Sequence, residues 1–134
     1  MQFQQLLLAA LASVAYAYPQ QIVSGAEVTG TTCIDQNLKL DSHDTNVAIL
    51  SICGGIAGAI TKCQGNPTST TGQSGTSRFE LNPVNAGATL NVSKGRWERC
   101  VKAAKLTCPQ GSFESTCVGG TSDGDFNFSL AAAQ

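Results

Sequence analysis

Six cysteines, at positions 33, 53, 63, 100, 108 and 117, constrain what this chain can become more than any other feature. An even set of thiols reads as disulfides or as a metal site, and spacing separates the two. Zinc sites draw on closely spaced thiol pairs or on partner histidines. The nearest pair here, Cys100 and Cys108, is too widely spaced for that pattern, and His43 is the only histidine. The expectation is three disulfides, no metal and no cofactor, in a compartment that does not keep thiols reduced.

The N-terminal residues agree with that compartment. Leu6 to Ala12 is an apolar run closed by Pro19, Gln20 and Gln21, well short of the roughly 20 residues that cross a bilayer. Ala15-Tyr16-Ala17 puts small residues where a signal peptidase reads. Residues 1–17 are expected to be a secretory signal, which makes the protein secreted and extracellular, without a stable transmembrane segment. The remainder suffices for one domain. Eight basic and nine acidic residues, a formal net charge of -1, exclude a general nucleic-acid binder, which needs surplus cations to displace counterions.

Along the chain, residues 18–31 are small and polar and read as a flexible lead-in. From Thr32, Ile34, Leu38 and Leu40 alternate with Asp35, Asn37 and Lys39, the pattern of a half-buried strand with Cys33 on the opposite parity. Asp41-Ser42-His43-Asp44 supplies cap chemistry. Ile49, Ile52, Cys53, Ile56, Ile60 and Cys63 then repeat at helical spacing, predicting a helix over 46–60. Gly54, Gly55 and Gly58 weaken it by up to about 1 kcal/mol each, in return for close approach to a neighbouring element. Residues 64–77 are low in complexity and read as a loop. Arg78 to Leu81 and Leu90 to Val92 read as a hairpin around a turn at 82–87. A second helix follows, with Trp97, Cys100, Val101, Ala104 and Cys108 on one face, stopped by Pro109-Gln110-Gly111. Phe113 to Val118 is extended, Asp123-Gly124 marks a turn, and Phe126, Phe128 and Leu130 alternate in a last strand. Residues 132–134 form a tail.

That order predicts an α+β domain over residues 32–131. Two helices pack on one face of an antiparallel sheet of four strands, with room for a fifth, in the order βαββαβ. Two glycosylation acceptors, Asn91-Val92-Ser93 and Asn127-Phe128-Ser129, place their asparagines on the outward parity. The same topology leads to the pairings Cys33–Cys63, Cys53–Cys100 and Cys108–Cys117, one of about fifteen arrangements.

Catalytic chemistry finds little purchase. Ser42, His43 and Asp44 are the right residue types for a triad, yet adjacent residues cannot join through their own side chains, so they read as a helix start. Asp123 and Asp125 flank Gly124 without the further oxygens of a calcium loop. Glu80, Glu98 and Glu114 read as isolated carboxylates. Gly54 and Gly58 have the spacing of paired membrane helices, but the stretch is too short to span. Lys94, Arg96, Arg99, Lys102 and Lys105 hold five of the chain's eight cations and form a candidate partner-binding basic face on the second helix.

A leader, six cysteines with two in each helix, and a strand-helix-strand-strand-helix-strand order resemble the small α/β-sandwich killer toxins of smut fungi and related secreted effectors of plant-pathogenic fungi. The resemblance covers about residues 32–131. It implies export and action on another cell, and it brings no catalytic residues. The chain departs from the toxins in lacking a paired basic site for precursor processing. The functional expectation is a toxin-like or effector-like interaction protein, not an enzyme, whose partner is an extracellular protein, a cell surface or a membrane. The alternatives are a structural cell-wall or surface-associated protein and a small extracellular hydrolase.

Overall fold

The alternation of Phe126, Phe128 and Leu130 marks the middle of the fold. The computed structural model describes residues 26–133 apart from residue 59; the expected leader and most of the expected lead-in lie outside the described residues. Among these, five strands form one sheet: β1 (Val28–Asp35), β2 (Thr70–Ser74), β3 (Ser77–Pro83), β4 (Ser112–Cys117) and β5 (Phe126–Ala132). Their spatial order is β1-β4-β5-β3-β2, and every pairing is antiparallel. Helix α1 spans Ser42–Leu50 and α2 spans Lys94–Thr107. The chain order is thus βαββαββ, an α+β domain with both helices on one side of the sheet.

Aromatic packing identifies that side. Phe79, Leu81, Phe113, Phe126, Phe128 and Leu130 all point inward and are buried. Trp97 of α2 meets Phe79 and Phe128 edge-to-face, with ring centroids 5.2 and 5.3 Å away. Its Nε1 donates to the Ile49 carbonyl at 2.8 Å, so one side chain joins α2 to the sheet and to α1. Gly72, paired with the inward Phe79, lies against Ala48 and Ile52, which places α1 on the same face.

Helix α2 matches its expected stripe. Trp97, Cys100, Val101 and Ala104 are buried, Ser93 caps the start by accepting from the Arg96 N–H, and Pro109 follows the end. Helix α1 is shorter than expected. Asp41 caps it, and the Asp44 carboxylate accepts from the N–H and hydroxyl of Thr76 at 2.8 and 3.0 Å, tying its first turn to the β2–β3 turn. Beyond Leu50 only a single 3-10 turn, Ile52–Gly54, continues. Cys53, Gly54, Gly55 and Gly58 all take positive φ, which a right-handed helix cannot hold. Ile52 and Ile56 remain buried because the loop folds back, with the Ile56 N–H donating to Leu50 at 2.8 Å. The isoleucine spacing therefore reports burial here and not a helix.

Four further expectations change. The first strand begins at Val28, inside the expected lead-in, and its parity is reversed. Ile34 is 58 % exposed because it is the extra residue where Cys33 pairs with Phe113 and Asp35 with Ser112; a bulge throws its side chain outward. Residues 70–74, expected within a loop, form edge strand β2. Leu90 and Val92, expected in a hairpin strand, are buried in a connection that makes isolated bridges, Leu90 to Thr121 and Lys62 to Ser93, in place of a strand. The domain also runs past residue 131, since Ala132 pairs with Ser77 and the Ala133 N–H donates to Thr76.

All six cysteines are bridged, but as Cys33–Cys108, Cys53–Cys63 and Cys100–Cys117. The expected Cys108–Cys117 pair fails because the whole of β4 separates those residues, on the order of 17–20 Å of extended chain. Cys53–Cys100 fails because Cys53 sits in a turn and not on a helix face. Cys63, hydrogen-bonded through its N–H to Val92, closes the glycine loop onto Cys53. Cys33 instead reaches the C-terminal end of α2, because β1 pairs with β4, the strand that follows that helix.

Candidate functional site

With both helices on one face, the outward side chains of the sheet form the other. Register aligns them in rows. Glu114 of β4 and Glu80 of β3 both pair with Ser129 of β5, so the two carboxylates flank that serine from opposite sides. In the next row Thr116 and Asn82 both pair with Asn127, and the Thr116 hydroxyl donates to the Asn127 side-chain oxygen at 2.7 Å. These six residues line a groove of about 310 Å³. Its charged groups are both acidic, and its remaining walls are chiefly amides and hydroxyls.

The row of Glu114, Ser129 and Glu80 is what sequence reasoning missed. Each glutamate lies on the outward parity of its own strand, and only the strand order brings them together. Two strand spacings, about 9–10 Å, separate their backbones. Glu80 is paired with Arg78 at 2.8 Å and its side chain is 45 % exposed; Glu114 is exposed and has no ion pair among the described residues. The arrangement is rich in acceptors and suits a partner that presents hydroxyl, amide or ammonium donors.

The five α2 cations do not converge. Arg96 donates to the Val118 carbonyl at 2.8 Å, which secures the end of β4. Arg99 pairs with Glu27 at 3.4 Å. Lys102 is exposed, Lys94 and Lys105 are half-buried, and Lys105 lines a cleft at the other end of the helix. The solvent side of α2 carries Arg99 and Lys102 beside Leu106, which is 81 % exposed.

Other candidates resolve into local structure. His43 is exposed on α1, on the helix-bearing side of the sheet, and Asp44 is engaged by Thr76. Asp125 accepts from the Gly119 N–H at 2.7 Å, and Asp123 donates its N–H to Thr121; both serve turns. No cluster of three or more metal-ligating residues occurs among the described residues. Asn127 projects from β5 onto the open face as its parity requires. Asn91 is half-buried in the connection before α2, where its N–H donates to Gly120, so strand parity does not apply to it. No helix among the described residues is long and apolar enough to cross a membrane.

Comparison of the chain with family models, with curated proteins and with solved structures finds no match.

Proposed function

We propose that this chain is an exported toxin-like or effector-like interaction protein. It acts on another cell or an extracellular target without catalysis and recognises that target through the open face of its sheet. The carrying observation is the division of the sheet: both helices cover one face, and the other presents Glu80, Asn82, Glu114, Thr116, Asn127 and Ser129 around a groove. Three disulfides in a domain this small are typical of oxidising compartments, which supports export. The arrangement of two helices on one antiparallel sheet is in keeping with the killer toxins and effectors that the sequence resembles.

A second reading rests on the same row. Two carboxylates across a shared cleft are the equipment of a glycoside hydrolase, and the Glu80–Glu114 placement favours it over other hydrolytic chemistries. Against it, Glu80 is committed to Arg78 and both groups stand in solvent.

The test applies pure oxidised protein to competitor fungi, bacteria and host tissue, with a permeability dye and a polysaccharide-hydrolysis assay alongside. The expected result is saturable binding and damage to one cell type, lost on reduction. Dye entry would identify a membrane target, and death without entry a receptor. Hydrolysis abolished by Glu114→Gln would transfer the assignment to the second reading, and co-sedimentation with insoluble polysaccharide without any effect on cells would make the protein a wall component.

A further inference from the structure

Two concavities among the described residues carry charges of opposite sign. The groove on the open face carries only carboxylates, whereas a second cleft, of about 270 Å³, carries only ammonium groups. The second cleft lies between the last turn of α2, the first turn of α1 and the chain after β1. Half-buried Leu38 and Leu40 give it apolar surface above the buried Phe113 and Leu130, Ser42, Thr45 and Gln110 add polar wall, and Lys39 and Lys105 are its charged members. Neither lysine belongs to an ion pair among the described residues. Cys108, bridged to Cys33, forms part of the wall, so the cleft is built on cross-linked backbone.

We propose that this cleft binds a small amphipathic carboxylate, a medium-chain fatty acid in type. The apolar tail would lie on the leucines and the carboxylate would sit between Lys39 and Lys105. The volume falls just below the range of about 300–1,000 Å³ for small-molecule sites, and in such sites a few charged groups beside apolar wall fix the orientation of the ligand. Ser42, the first residue of α1, also lines the cleft. Lys105 has a competing structural role, since a cation in the last turn of α2 complements the partial negative charge there. The test separates the two roles, and it is independent of the reading of the open face.

The experiment titrates the disulfide-bonded protein with millimolar octanoate, and in parallel with 1-octanol, while following backbone amide resonances. Saturating shifts are expected over residues 38–42 and 105–111. Octanoate should bind at least about tenfold more tightly than the alcohol. Lys105→Gln should bring octanoate down to the level of octanol and leave octanol unchanged, and Lys39→Gln should do so in part. No saturating shift, shifts centred elsewhere, or equal affinity for acid and alcohol would overturn the proposal. A purely structural Lys105 would lower thermal stability and leave the preference for the acid intact.

Discussion

Gly72 lies against the carbonyl of Ala48: a Cβ built on the glycine would stand 2.3 Å from that oxygen and 2.9 Å from Cγ2 of Ile52. Edge strand β2 can therefore slide beneath α1 only because one inward position carries no side chain. The close approach expected of the glycines in the first helix is supplied from the opposite partner.

Gly72→Ala should force α1 away from the sheet. Overpacking of this kind costs about 1–3 kcal/mol and sometimes more, and the obstacle here is backbone. Urea unfolding of the variant should show a lowered midpoint with the slope unchanged. An unaltered midpoint would mean that α1 does not sit on β2.

The three bridges should contribute unequally. Cys33–Cys108 spans 75 residues, Cys100–Cys117 spans 17 and Cys53–Cys63 spans 10. In the chain-entropy model, losing the first costs roughly 4–5 kcal/mol and each of the others roughly 2.5–3. Paired Cys→Ala variants compared by denaturant titration should follow that order. Removing Cys53–Cys63 should also speed amide exchange in residues 54–62 well before it affects β5.

Trp97→Phe keeps an aromatic ring in the core but removes the donor to Ile49. A part-buried carbonyl left without its partner costs about 1 kcal/mol, with a further packing loss from the smaller ring. Calorimetry should show a lower melting temperature, and amide exchange should rise at the end of α1, where the hydrogen bond was lost.

How far the sequence discloses this fold depends on how local each signal is. Helix α2 and strand β5 are legible because their apolar periods are uninterrupted and their caps and stops are adjacent. Residues 49–60 mislead because a burial pattern with helical spacing continues through Gly54, Gly55 and Gly58, where backbone sign and not hydrophobicity decides. Strand β2, Thr-Thr-Gly-Gln-Ser, has the composition of a loop because an edge strand under a helix needs no large side chain. Ile34 appears inward until the bulge is known. The cysteine pairing and the Glu80–Glu114 row both depend on strand order, which no local pattern encodes.

The cations of α2 offer a contrast to the open face. Neutralising Arg99, Lys102 and Lys105 together removes one long surface ion pair and exposed or half-buried charges, so stability should change by about 1 kcal/mol or less. If an anionic surface docks on α2, cell binding by this variant should weaken and lose its salt dependence. Unchanged binding would eliminate the basic face as a contact.

The most direct test of the central claim, that recognition occurs on the uncovered side of the sheet, is quantitative cell binding by labelled protein with the groove filled. Thr116→Arg with Ser129→Arg would crowd the groove without touching the core, and Leu106→Arg on the solvent side of α2 serves as the control. Binding to the responsive cell should fall at least about tenfold for the filled groove and remain at the wild-type level for the control. Wild-type binding by the filled-groove protein, with its fold intact, would contradict the account.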